Sequence, residues 1–378
     1  MKGTVWLIVL GALALTAAGS TLWIASLPSE GAPAAAASPP ISQQEHEATL
    51  VALRHRERPR PLIAVIGIND ATETTDYVMR YGILRRSGVA DVLALATEPG
   101  PIQLYPALKV EPDATIARFD AEHPGGADYV IVPAMSRQDD RAALEWIRAQ
   151  ADKGATVIGV CSGALILSAA GLLDDKRATT HWYSLGELRE RTPSLRHVAD
   201  RRFVVDGKVA TTTGISASMP MTLALIEAIA GRAKAEEVGR DLGLSQWDAR
   251  HDSGAFGFTR PFALTVARNA LAFWDREQVD IELRAGMDEV SLALVADAWS
   301  RTYRSRARTY AMSADGARSR GGLRILPDEV RSNGQASALR PAIGEQPAAA
   351  LASALHGIER RYGAPTARVV AMQLELPR

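Results

Sequence analysis

The single cysteine of this 378-residue chain, Cys161, stands in the stretch "GVCSGALILSAAGLL", Gly159 to Leu173. It follows the β-rich run "TVIGV" and precedes the apolar, helix-like run "GALILSAAGLL". A residue at such a junction has its side chain thrust out of a tight strand-to-helix turn, and Gly159 and Gly163 give that turn room. Amides at the start of the following helix favour a thiolate there, and so predict a lowered thiol pKa. The chemistry in view is addition of sulfur to an electrophilic carbon. The competing reading is a buried thiol that packs as a small hydrophobe, and position alone leaves both open. One cysteine cannot form an internal disulfide, so the redox compartment stays open too.

The elements that must position Cys161 begin at Leu62 with "LIAVIGI", a buried-strand run, followed by the helix-like "TTDYVMRYGILRRSG" and a second strand "DVLALA". "ADYVIVPA" and "GATVIGV" are two more buried strands, with "DDRAALEWIRAQADK" as the helix between them. Strands alternating with helices predict a parallel sheet covered on both faces, with ligands beyond the carboxyl ends of the strands. Cys161 lies at such an end.

Composition narrows the classes. Hydrophobic content of 47% and a length of 378 residues supply core enough for two domains. Lys plus Arg and Asp plus Glu number 43 each and are scattered, so no basic stripe invites nucleic acid. At the N-terminus, Lys2 precedes an uncharged, mostly apolar run from Gly3 to Pro28, long enough to cross a bilayer as a helix. Residues 1–28 are therefore expected to be a transmembrane anchor, because the run exceeds the apolar core of an ordinary signal peptide. The alternative is a cleaved secretory signal, for which Ala32 to Ser38 offers small-residue sites. The anchor implies a single-pass bacterial inner-membrane protein with its globular part in the periplasm; cleavage would leave that part secreted or periplasmic. Residues 29–61, Pro-, Ala- and Ser-rich and then charged in "RHRERPRP", read as a flexible linker.

The segment "GVCSGALILSAAGLLDDKRATTHW" resembles the DJ-1/PfpI superfamily, within the class I glutamine amidotransferase-like fold. It is most similar to the branch holding isonitrile hydratases and the sensor domains of AraC-type regulators. The likeness extends over about residues 62–246, closing on "TTTGISASMPMTLALIEAIAG". It implies a flavodoxin-like, doubly wound parallel sheet sandwiched by helices. It also implies Cys161 as nucleophile, with Ser162 offering a hydroxyl to substrate and His181 of "TTHW" near the thiol. Aligning "YGILRRSG" with the family's first helix places Asp76 at the acidic position that contacts the sulfur, where a carboxylic acid can share a proton with it. A capping acid is the alternative for Asp76, with Asp70 and Glu73 as local competitors, and a structural histidine is the alternative for His181. The chain departs from the family at "VPAM", which stands where "VPGG" is usual. Ala134 and Met135 thus join Ser162 and Gly163 as the expected substrate-binding or oxyanion positions, with Met135 narrowing the pocket. "SRQDD", Ser136 to Asp140, reads as a helix N-cap box.

Beyond residue 246 an AraC-type regulator would continue into basic helix-turn-helix units, and this chain does not read so. Residues 247–278 hold a linker helix, "RPFALTVARNALAFWDREQ", and residues 279–378 read as a degenerate partial repeat of the first domain. Pro112–Asp113 matches Pro327–Asp328 at an offset of 215 residues. Ile226, Glu227, Gly231, Ala235, Val238, Leu242 and Leu244 match Ile358, Glu359, Gly363, Ala367, Val370, Leu374 and Leu376 at an offset of 132. The missing block of 83 residues is the part of the first copy that holds Cys161 and "TTHW". The family usually pairs as dimers, so the worn copy would occupy a partner's place in a pseudo-dimer within one chain.

Two functions of different kind follow. One is a Cys-dependent hydratase or hydrolase acting on a small electrophilic molecule through Cys161 and Asp76. The other is a non-catalytic ligand sensor of the regulator type without its DNA-binding domain. Neither calls for a cofactor or metal.

Overall fold

A computed structural model of the chain describes residues 38–54, 58–331 and 344–376, with residues 19, 22–29 and 341 beside them. The first half opens with α1 (Gln43–Leu53), β1 (Leu62–Gly67), β2 (Asp70–Glu73), α2 (Thr74–Ser87), β3 (Asp91–Ala96), β4 (Ile102–Tyr105), β5 (Lys109–Glu111), β6 (Ala114–Thr115), α3 (Ile116–Glu122) and β7 (Tyr129–Val132). It continues through α4 (Arg141–Asp152), β8 (Thr156–Gly159), α5 (Gly163–Ala169), β9 (Arg177–Ala178), α6 (Leu185–Arg191), β10 (Arg196–His197), β11 (Phe203–Asp206), β12 (Val209–Thr212), α7 (Ser218–Ala230) and α8 (Arg232–Asp241).

The continuous apolar runs become the central strands, because a strand covered on both faces has no solvent side to mark with polar residues. The main sheet has the order β11-β12-β8-β7-β1-β3-β6. All its pairings are parallel except β11 with β12, so the sheet is mixed, not wholly parallel as expected. That edge is a hairpin turned at Asp206-Gly207, with Gly207 at φ 63°.

Two expectations for the N-terminal region change. No helix among the described residues is long and apolar enough to cross a membrane. The transmembrane helix, and the single-pass inner-membrane placement that rested on it, are therefore corrected; residues 3–18 of the apolar run, and the cleavage sites at 32–37, lie outside the described residues. The stretch read as a flexible linker contains α1, capped by Ser42 Oγ accepting from Glu45 N. It is docked by Tyr129 Oη donating to Leu53 O at 2.6 Å and by Arg201 pairing with Glu45 at 2.6 Å.

The second half comprises α9 (Arg260–Leu271), β13 (Glu277–Glu282), α10 (Glu289–Ser300), β14 (Ser305–Ala311), β15 (Ala317–Arg318), β16 (Arg324–Leu326), β17 (Glu329–Val330), α11 (Pro347–Tyr362) and α12 (Ala364–Gln373). A shift of 215 residues carries the bounds of β1, β5 and β6 onto those of β13, β16 and β17, and a shift of 132 carries α8 onto α12. Local bonding follows the same shifts. Asp113 Oδ2 accepts from Ala94 N and Asp328 Oδ2 from Thr309 N, each at 2.8 Å. Gly231 and Gly363 precede α8 and α12 with φ of 88° and 86°.

The halves share structure. β13, β14 and β17 form a separate parallel sheet, while β16 pairs antiparallel with β5 in a sheet of order β15-β16-β5-β4-β2. Helix α2 is covered on one side by α7 and on another by α10, which is why its residues are buried nearly all round. One continuous apolar core runs from Ile63, Tyr77 and Ile83 to Leu292, Val295 and Ile358.

Candidate functional site

Cys161 lies just beyond β8 with φ of 57°, a left-handed conformation that costs a non-glycine residue about 1–2 kcal/mol. The surroundings hold it there. Its amide donates to Thr212 Oγ1 at 3.2 Å, and its carbonyl accepts from Thr180 Oγ1 at 2.9 Å. Gly163 lets α5 close under the turn, because a Cβ there would meet Val132 O at 2.2 Å.

The side chain is partly buried at a cavity of about 820 Å³. Glu73, Ala134, Met135, Ser162 and His181 also line this cavity, as do Trp182, Tyr183, Phe258 and Phe262, which make an aromatic mouth. Arg301, Tyr303 and Gln373 enter it from the second half, and Trp23 from the N-terminal segment, which reaches Phe258 edge-on at 5.8 Å.

Asp76 sits in the first turn of α2, fully buried. Its Oδ2 accepts from Ala134 N at 3.1 Å, while Oδ1 has no hydrogen-bond partner. Burial pushes its carboxyl up to about 7; the Ala134 amide, Arg80 and Arg301 only partly offset that. Asp76 is not the helix cap: Glu73 is, accepting from Asp76 N at 2.6 Å. Glu73 also receives Thr75 Oγ1 at 2.9 Å and Arg301 Nη2 at 2.7 Å. Burial, and then the charges of Asp76 and Asp297, hold its carboxyl well above the usual range.

The thiol behaves otherwise than the sequence predicts. Burial raises its pKa well above the ordinary value, and the carboxylates of Asp76, Glu73 and Glu375 add to that; the Ser162 amide pulls the other way. Helix α5 has seven residues, too short to outweigh three acids. The proton therefore rests on the sulfur near neutral pH.

The remaining expected positions divide. His181 is spoken for: Nδ1 accepts from Tyr183 N at 3.2 Å, which leaves Nε2 to donate to Gln373 O at 3.1 Å, and burial lowers its pKa. It is a neutral ring fixing a loop, with no nitrogen free for the sulfur. The amides of Ala134 and Gly163 are also engaged, by Asp76 and by Val160 O at 2.7 Å. Met135 is buried in a bridge with Thr72, and Ser162 Oγ lies 2.6 Å from Ser184 Oγ. Asp140 caps α4 by accepting from Ala143 N at 3.1 Å, the N-cap expected of "SRQDD". Among the described residues no cluster of three or more His, Cys, Asp or Glu could hold a metal ion.

A cysteine with positive φ at a strand-to-helix turn, at the carboxyl end of a strand paired in parallel on both sides, defines the class: an α/β protein with its one thiol at the sheet's carboxyl edge. Residues 63–228 match the model of the DJ-1/PfpI family, so the chain carries a DJ-1/PfpI family domain over that stretch. Isonitrile hydratase of Pseudomonas putida is 39% identical over 109 residues, covering 29% of this chain and 44% of that protein. The HTH-type transcriptional regulator CdhR of Pseudomonas aeruginosa is 34% identical over 111 residues, covering 29% and 33%. The matched stretches thus span less than half the length of these relatives. Oxidised Toxoplasma gondii DJ-1 aligns with a TM-score of 0.43 at 21% identity, over 49% of this chain and all of that one.

Sequence reasoning missed Arg80, Arg301 and Glu375. Arg80 lies one helical turn after Asp76, a readable i, i+4 signal. The other two come from the second half, and no local pattern announces them.

Proposed function

We propose that the chain is a cysteine-dependent enzyme that adds water to a small, electrophilic, largely apolar molecule, with an isonitrile as the first candidate. The observation that carries this reading is Cys161, strained at φ 57° at the cavity, within reach of the charge of a buried Asp76 whose Oδ1 is unpartnered and whose carboxyl is pushed up to about 7. Cys161 sulfur forms a bond to the terminal carbon of the isonitrile, and Asp76 delivers the proton to that carbon. Water then adds to the resulting thioimidate carbon, the S–C bond breaks, and the proton returns to the Cys161–Asp76 pair. The net change is isonitrile plus water to N-substituted formamide. The aromatic mouth fits an apolar substituent on nitrogen.

The test is incubation of the protein with aliphatic and aromatic isonitriles, following formamide formation by NMR, with Cys161→Ser as the blank. Turnover by the wild type alone supports the reading. Ligand-induced stabilisation without turnover would move the chain to the sensor reading.

A further inference from the structure

We propose that Arg301, supplied by the second half of the chain, is a positioning residue for the Cys161 site, acting through Glu73 on Asp76. The proposal rests on Cys161 being the reactive group. Arg301 follows α10, and its guanidinium spans the two halves: Nε donates to Asp297 Oδ2 at 2.6 Å and Nη2 to Glu73 Oε1 at 2.7 Å. Glu73 Oε2 in turn receives Asp76 N at 2.6 Å. One unbroken line of contacts therefore runs from α10 to Asp76, whose charge reaches the sulfur. Its far end is anchored too, since Gln373 Nε2 donates to Arg301 O at 3.1 Å.

The contact has a twin. The shift of 215 residues that carries β1 onto β13 carries Arg86 onto Arg301 and Glu73 onto Asp288. Arg86 Nη2 pairs with Asp288 Oδ2 at 2.8 Å, reciprocating Arg301 with Glu73 at 2.7 Å. Such reciprocity is the mark of a two-fold contact, in which residue i meets j while the counterpart of j meets the counterpart of i. Only one of the two pairs lies beside a cysteine. The Arg86 pair is thus an internal control for what the contact does structurally.

The charges around the thiol and its two neighbouring acids are Glu73, Asp76 and Arg80 on and before α2, Asp297 on α10, Arg301 just after it and Glu375 after α12, with His181 held neutral. Within this set Arg301 favours the ionised forms of Glu73 and Asp76, and Asp297 opposes them. Removing either charge should therefore move the site in opposite directions, which a merely structural loss would not do.

The experiment uses the full chain and the rate of Cys161 alkylation by iodoacetamide against pH; the sole cysteine makes the signal unambiguous. Arg301→Met also withdraws a positive charge that reaches the Cys161 sulfur directly, so it should shift the midpoint upward by about one unit or more and slow alkylation near neutral pH by about tenfold. Arg301→Lys, which keeps the charge but not the fork, should fall between Arg301→Met and wild type. Asp297→Asn should shift the midpoint downward, and Arg86→Met should leave it in place. The proposal is overturned if Arg301→Met superimposes on wild type, if it shifts in the same direction as Asp297→Asn, or if Arg86→Met shifts as far. Should Arg301→Met not fold, wild-type profiles for both Arg301→Lys and Asp297→Asn overturn it equally. A thiol unreactive in folded wild type would sink the reading of Cys161 itself; a reactive thiol with unshifted variants sinks only the role of Arg301.

Discussion

Glu375 Oε2 accepts the backbone amide of Gly214 at 2.6 Å, across 161 residues of chain. Its other oxygen takes Trp182 N at 2.7 Å, so one carboxylate ties two loops of the candidate site to the end of α12. The residue holds φ of 52°, a conformation that Gly243 occupies at the matching position after α8. A glutamate stays in that strained place because two buried amides depend on it. Glu375→Ala should cost about 2–4 kcal/mol in urea unfolding, since it strands both donors. Glu375→Gly relieves the backbone strain and should recover about 1 kcal/mol of that loss.

Asp76 links stability to pH. Its native carboxyl titrates at about 7 against an ordinary 3.8, so the folded state keeps a proton that the unfolded chain has released. Stability from this group is full below the lower value and is lost as pH rises through the window from about 4 to about 7. Asp76→Asn should flatten that slope and raise stability at pH 8 by on the order of 2–4 kcal/mol, measured as urea midpoints across pH. The same variant should lose turnover. A stabilised variant that kept full activity would contradict the proton-transfer role.

The strain at Cys161 separates two substitutions that abolish the thiol alike. Cys161→Gly should be about 1 kcal/mol more stable than Cys161→Ala, because glycine adopts φ of 57° without a Cβ penalty. Chemical denaturation of the pair reads this directly.

Gly163 tests the turn itself. Gly163→Ala places a methyl 2.2 Å from Val132 O, so α5 must move away from β7. The expected result is a loss of about 1–3 kcal/mol and a changed Cys161 alkylation rate.

Much of this was legible because it is local. The strand, Cys161 and helix are consecutive, and Asp76 falls in the first turn of a helix whose apolar runs are plain in "TTDYVMRYGILRRSG". The antiparallel edge has a local signal too, the Asp206-Gly207 turn between "FVV" and "KVATT". The direction of the thiol's titration was not legible. Sequence showed the helix after Cys161 but not Glu73 and Glu375 folded against it, and charge from distant segments outweighs a short helix's amides. Arg301 stands 228 residues from Glu73, so nothing near either residue forecasts the pair. The N-terminal anchor reading rested on apolar length, which is necessary for a membrane span and not sufficient; among the described residues no helix is long and apolar enough to cross.

Because α2 and α10 belong to one polypeptide, the contact between them cannot be diluted apart. A site completed by a separate subunit empties as concentration falls, whereas here the arginine arrives at a fixed effective concentration. The two sides are also free to diverge. In a symmetric homodimer every substitution appears twice, so a change that suits the thiol is imposed on its image as well. Here Glu73 and Asp288 answer to different neighbours, and each can be mutated alone.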